Sequence, residues 1–215
     1  MDVFAKTRQW AAGSDTVRRW RQRRYAFFMD MCAVEPGHRI LDVGAGSGGA
    51  LERFNHTNRI VALDQRPPQR GSWLDAPNVT TVVADAAEGL PYADGEFDVV
   101  FCSSVIQYLP AERRAAFAAE LRRVGVRYFV QTPNRRFPVD PHYQVPFIQF
   151  LPQAARRWLN ARLTLGWRAK GDPAEFEMLT RRELAALFPD GEIHRERLLG
   201  LTKSFMVVGG VTRSG

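Results

Sequence analysis

The chain contains no run of about 18 apolar residues, so nothing in it is long and apolar enough for a membrane-spanning helix. Its opening, 1-MDVFAKTRQWAAGSDTVRRWRQRR-24, lacks the apolar stretch of a signal peptide. Cysteine is scarce. Cys32 and Cys102 stand alone, with neither metal-ligand spacing nor a disulfide framework. Both read as small core residues in a reducing compartment, so a cytoplasmic protein with no metal is expected. Repeats and low-complexity linkers are missing as well. Lysine is rare, and the net charge of +7 comes almost wholly from arginine. Arg18, Arg19, Arg21, Arg23 and Arg24 fall close together, with Trp20, Tyr25, Phe27 and Phe28 interleaved. Such a patch can bind anions or nucleic acid. No nucleic-acid motif accompanies it, and the solvated face of an amphipathic helix is the simpler reading.

What is present is a globular composition, 45% hydrophobic and 25% charged over 215 residues. That length fits a single domain spanning 1–215 with a substantial core. Residues 15–33 carry apolar positions Val17, Trp20, Phe27, Phe28 and Met31 and are predicted to be helical. Strands are predicted at 39–44, 59–64, 79–85, 97–104 and 125–132, with helices at 47–54 and around 111–123. In the second helix Ala115, Phe117, Ala118 and Leu121 are the expected inward positions. Near-continuous apolar strands alternating with helices indicate a mostly parallel sheet covered on both faces. A helix over 180–188 begins with Thr180 and Glu183, the spacing of a capping box. The runs 192–200 and 203–210 follow with too short a link for a crossover helix, so the last strand must run antiparallel. Residues 133–179 interrupt the alternation with prolines and aromatics, as a functional loop beside a sheet edge does.

Ligands of open α/β sheets sit beyond the carboxyl ends of the strands. There the chain places 41-LDVGAGSGG-49, a glycine turn leading into a helix whose first N–H groups are free donors. Gly44, Gly46 and Gly49 also satisfy the dinucleotide fingerprint, and Asp64 follows at the distance of a ribose-binding acid. Dehydrogenases share both features. Asp42 tips the balance: two residues before Gly44, it would repel a pyrophosphate but suits a cationic ligand. Arg66 suggests a 2′-phosphate, yet Asp64 beside it would repel that group. Asp85 is placed to accept from an adenine amino group.

The segments RILDVGAGSGG, IVALD, VVADAAEGLPYADGEFDVVFCSSVIQYL and ERLLGLTKSFMVV together resemble the class I S-adenosylmethionine-dependent methyltransferases. The similarity spans roughly residues 30–210. Within that family, 132-TPNRRFPVDPH-142 is similar to small bacterial members with TPNR-x-FP-x-(E/D)PH after the fifth strand. The resemblance implies a Rossmann-like fold of seven strands, mostly parallel with an antiparallel last strand, helices on both faces. It implies S-adenosylmethionine as cofactor and S-adenosylhomocysteine as product. Asp42, Gly44, Ala45, Gly46 and Gly48 would surround the methionine part and Asp64 would hold the ribose. Gln65 and Arg66 would line the adenosine pocket. Asp85 and Ala86 would bind adenine, and Ser103 would lie under the methionine portion. Family members often carry Glu-His where this chain has Gln107 and Tyr108, so no role of that pair carries over.

Methyl transfer from a sulfonium needs alignment and exclusion of water, and a general base only where the nucleophile bears a tightly held proton. The absence of a distinct catalytic signature is therefore expected. Candidates for base or acceptor contact are His142 and Tyr108, with Gln107, Asn134, Arg135 and Tyr143 as substrate contacts. His142 is suited to taking a proton near neutral pH, which favours an oxygen nucleophile on a small-molecule acceptor. The apolar run Phe147, Ile148, Phe150 and Leu151 is expected to pack the 133–179 insertion onto the core, with the insertion covering the acceptor site and residues 1–34 forming a helical lid. RNA as acceptor, a non-catalytic cofactor-binding subunit and a nucleotide-dependent oxidoreductase are the competing expectations. The protein itself is expected to be a monomer or homodimer.

Overall fold

The computed structural model describes residues 15–46, 51, 57–67, 73–139, 147–162 and 177–210. Helix α1 (Asp15–Met31) leads into strand β1 (Arg39–Val43), followed by β2 (Arg59–Asp64), β3 (Val79–Val83) and β4 (Phe97–Ser103). Helix α2 (Arg114–Val124) runs into β5 (Gly125–Pro133). Helices α3 (Gln153–Arg162) and α4 (Arg181–Leu187) precede the hairpin of β6 (Glu192–Leu198) and β7 (Leu201–Gly209). The helix predicted over 47–54, apart from Leu51, and residues 140–146 and 163–176 of the 133–179 insertion lie outside the described residues.

The seven strands form one sheet in the order β3-β2-β1-β4-β5-β7-β6. β1 to β5 are parallel, and β7 enters antiparallel between β5 and β6. The prediction of an antiparallel last strand holds, for the reason given: two residues between β6 and β7 permit only a turn. That turn uses Leu199 and Gly200, both at positive φ. The predicted capping box also forms, with the Thr180 hydroxyl accepting from the Glu183 amide and the Glu183 carboxylate accepting from the Thr180 amide.

Alternation along the strands separates two cores. Ile40, Val99, Phe101, Phe129 and Val208 face α1, which inserts Phe28 between Phe101 and Phe129 at ring separations of 4.8 and 5.4 Å. Complete burial of a side chain of that size contributes about 1.5–3 kcal/mol. Leu41, Val43, Val100, Cys102 and Val130 face the other way, against Phe117 and Leu121 of α2 and Leu184 of α4. Cys32 and Cys102 are both free and buried.

The first turn of α2 departs from expectation. Ala115 is exposed and Arg114 is buried in its place. The Arg114 guanidinium donates to the carbonyls of Leu109 and Glu177, so the helix turns its arginine inward to hold two loop backbones together.

Candidate active site

The carboxyl ends of β1, β2, β3 and β4 open on a cavity of about 760 Å³. Its floor is the turn after β1. Gly44 and Gly46 take positive φ, +77° and +56°, which lets the chain double back at the strand end. The amides of Gly44 and Ala45 both donate to the Leu63 carbonyl, at 2.7 and 3.1 Å, and pin the turn to β2. Asp64, at the tip of β2, completes the link. One of its carboxylate oxygens accepts from the Gly46 amide at 2.9 Å and the other from the Arg66 amide at 3.0 Å. The loops after β1 and β2 are thus joined by one side chain at the mouth of the cavity.

Asp42 lies one layer deeper. It is 2% exposed and does not line the cavity, and its Oδ2 has no hydrogen-bond partner among the described residues. Burial, and then the nearby Asp64, push its carboxyl up to about 7. A buried carboxylate facing a second carboxylate favours a cation or an added donor nearby. Gly48 lies outside the described residues. Ala45 packs with Ala62 and Leu74 beneath the turn.

On the β3 side, Asp85 and Ala86 line the cavity with Gln65 and Arg66. Asp85 accepts from the Ala87 amide at 2.9 Å, closing an Asx turn, and pairs with Arg113 at 2.9 Å. Burial raises its pKa, but the Ala87 amide, Arg113 and Gln65 outweigh that and hold the carboxyl below its ordinary value. Arg113 is a wall residue that sequence reasoning missed. It sits in 112-ERR-114, where nothing distinguishes it from the chain's many other arginines.

The β4 side also differs in detail from expectation. Ser104 and Val105 line the cavity, with Tyr108 beyond them. Ser103 sits beneath, its hydroxyl donating to the Gln131 side-chain carbonyl at 2.9 Å. Ser104 adopts a left-handed φ of +61°, and this swings the chain from strand into cavity wall. Its amide donates to the Gln131 main-chain carbonyl and its hydroxyl to the Gln131 side chain.

The proposed substrate contacts separate in space. Gln107 is fully buried, accepts from the Thr132 hydroxyl at 3.2 Å, and does not reach the cavity. Asn134 braces the chain after β5: its side-chain amide donates to the Thr202 carbonyl and its carbonyl accepts from the Arg136 amide. Arg135 pairs with Glu177 at 3.2 Å. Ile148 is buried against Met178, as packing of the insertion requires, while Phe147, Phe150 and Leu151 are exposed. His142 and Tyr143 fall outside the described residues. Among the described residues no group of acids, histidines or cysteines is arranged to hold a metal, and no helix is long and apolar enough to cross a membrane.

Residues 41–126 match the methyltransferase domain family, Methyltransf_11. The chain is 26% identical over 184 residues to the ubiquinone/menaquinone biosynthesis C-methyltransferase of Ralstonia pickettii, covering 80% of this chain and 70% of that protein. It is 36% identical over 98 residues to the 2-methyl-6-phytyl-1,4-hydroquinone methyltransferase of Synechocystis, covering 42% of this chain and 30% of the relative. The fold matches that of the Burkholderia thailandensis 1,6-didemethyltoxoflavin-N1-methyltransferase, a structure with bound S-adenosylhomocysteine. That match has a TM-score of 0.59 at 14% identity and covers 96% of this chain and 86% of the other.

Proposed function

We propose that this S-adenosylmethionine-dependent methyltransferase of class I places its methyl group on a small molecule with an ionisable hydroxyl, at oxygen. The cofactor supplies an electrophilic methyl on a good leaving group. The observation that carries the reading is the cradle after β1. Gly44 leaves no room for a β-carbon against Val105, and the buried Asp42 carboxylate behind it lacks a donor among the described residues. The orphaned carboxylate suits a cationic ligand beside the turn, and the packing of Gly44 against Val105 holds the turn in place. Asp64 presents its carboxylate at the cavity mouth as a hydroxyl acceptor, and Asp85, Gln65 and Ala86 form a polar end for a base. Ser104 and Val105 wall the region where methyl and acceptor meet.

In this reading the chain's residues orient and exclude water rather than react. A proton must still leave a hydroxyl nucleophile, and His142 is the assigned base. The named C-methyltransferase relatives favour a second outcome on the same acceptor, because loss of that proton also activates the adjacent ring carbon. The segment 132-TPNRRFPVDPH-142, which ends at His142, connects the chain to the small bacterial type in this same reading.

Incubation with isotopically labelled S-adenosylmethionine and a panel of phenols is expected to transfer label, with mass spectrometry locating it on oxygen. His142→Ala should then lower turnover by about 10²–10⁴-fold, the range for general-base catalysis, with cofactor affinity unchanged. Turnover near the parent value removes His142 as base. Asp64→Ala is expected to weaken cofactor binding by about 1–3 kcal/mol, since it leaves polar groups unpaired and unties Gly46 from β2. An unchanged affinity in calorimetry would contradict the placement of Asp64.

A further inference from the structure

The strands that end at the glycine turn, Asp64 and Asp85 begin at another cavity. It lies at the amino ends of β1, β2 and β3 and measures about 600 Å³. No residue lines both cavities. β2 runs six residues from Arg59 at one to Asp64 at the other, about 16 Å of extended chain. The opening follows from the chain's course. Helix α2 packs on β4 and β5, and the link from β3 to β4, residues 84–96, contains no helix. The α2 face of β2 and β3 is therefore left open towards its amino end.

Two arginines line this cavity side by side. Strand alternation puts Arg39 on the face of Leu41 and Val43, and Arg59 on the face of Val61 and Leu63, which is the same face. Arg39 and Arg59 are also direct partners in the register of β1 and β2. Like charges so placed on one face of a sheet are unfavourable. Arg39 is compensated: it donates to Glu96 at 2.7 Å, and its guanidinium lies 4.7 Å from the centre of the Phe97 ring. The Arg59 side chain has neither a counter-charge nor a hydrogen bond among the described residues. Thr80, beside Val61 in the register, and Tyr92 add two hydroxyls to the lining, and neither is hydrogen-bonded among the described residues. Val61, Val82 and the Tyr92 ring, which stands edge-on to Phe97 at 4.8 Å, supply an apolar floor.

We propose that this cavity binds a small carboxylate on an apolar or aromatic body, at a site separate from the one that holds the methyl donor. One uncompensated charge matches a monoanion. A guanidinium is a planar fork of donors that fits a carboxylate, and Arg39 keeps donors beyond the one given to Glu96. A carboxylate against Arg59 also removes the repulsion between the two arginines. Thr80 and Tyr92 add neutral donors, and the apolar floor covers the body of the ligand, the usual make-up of a small-molecule site. Because no lining residue is shared, the inference stands apart from the donor placement given above.

Titration of the isotopically labelled full chain with benzoate, followed by NMR, tests the site. Benzoate is expected to bind, and benzamide, of the same shape without the charge, to bind much more weakly. Arg59→Gln should lower benzoate affinity by at least about 10-fold, the scale of a lost charge-assisted hydrogen bond. Thr80→Val keeps the strand and removes only a neutral donor, so it should cost about 2–10-fold. Arg113→Gln, in the wall of the other cavity, should leave benzoate binding as in the parent. Without benzoate, Arg59→Gln should be at least as stable as the parent in thermal unfolding. Equal affinity for benzoate and benzamide overturns the site, as does parent-like binding in Arg59→Gln. Loss of binding in Arg113→Gln instead assigns benzoate to the other cavity and overturns it too. A less stable Arg59→Gln shows that Arg59 already has a counter-charge, with the same consequence.

Discussion

Gly44→Ala is expected to destabilise the protein by about 2–5 kcal/mol or to weaken cofactor binding by a comparable amount. Two independent effects add. At φ +77° an alanine is strained by about 1–2 kcal/mol. Its β-carbon would also lie 2.1 Å from Val105 Cγ2, far inside the ~3.5–4.0 Å of normal carbon contact. Neither side can retreat freely. The turn is held by two amide hydrogen bonds to the Leu63 carbonyl, and Val105 follows Ser104, which is hydrogen-bonded twice to Gln131. Forcing a methyl into such a site costs about 1–3 kcal/mol. If the turn stays put, the loss appears in denaturant unfolding. If it shifts, both Gly44 and Val105 line the cavity and the loss is expected in S-adenosylmethionine titration. Gly46→Ala is the control: it shares a positive φ, but its β-carbon would meet nothing nearer than 3.9 Å. It should be clearly milder. Val105→Ala should restore part of what Gly44→Ala removes. Wild-type stability and affinity in Gly44→Ala would refute the cradle.

The contrast between those glycines shows where a sequence stops being informative. Spacing identified both as turn residues, and alternation of apolar runs with helices located the strands and the antiparallel hairpin. Those signals are local, and local preferences decide them. That Val105, some sixty residues away, fills the space over Gly44 is a fact of register between β1 and β4, which no periodicity carries. The same limit explains the cavity wall. Ser103 and Ser104 are identical letters, and only the left-handed turn at the second decides which one lines the cavity. Gln131 belongs to no motif in the sequence; its side chain gathers Ser103, Ser104 and Arg24 because separate elements converge there. Arg114 was passed over for Ala115 because its partners are loop carbonyls at Leu109 and Glu177. Arginine's use at Asp85 was equally hidden. Charged residues usually face solvent, and the exceptions here are set by distant backbone rather than by neighbours in sequence.

Asp42 carries the second large effect, and its sign is unusual for a carboxylate. Its folded pKa of about 7 stands above the ordinary 3.8, so between those values the folded chain keeps a proton that the unfolded chain releases. Stability contributed by this group is therefore intact at low pH, declines as pH rises through that window, and is lowest above about 7. A shift of roughly 3 units at ~1.36 kcal/mol each sets an upper scale near ~4 kcal/mol. Asp42→Asn mimics the protonated form at every pH. It is expected to raise the unfolding free energy at about pH 8 by up to that amount and to flatten the decline between about pH 5 and pH 7. Ligand binding should move oppositely. A cationic amino group beside Asp42 favours the ionised carboxylate, so affinity for S-adenosylhomocysteine should increase as pH rises towards 7, with release of a proton on binding. Calorimetry in two buffers of different ionisation enthalpy reads that proton directly. Asp42→Asn should bind more weakly, with no pH slope and no proton release. An affinity independent of pH in the parent chain, together with an unchanged stability slope in the variant, would show that Asp42 is ionised throughout and that the orphaned oxygen has a donor of its own. The stability gain and the affinity loss come from one carboxylate, so the substitution expected to stabilise the fold is the one expected to weaken the site.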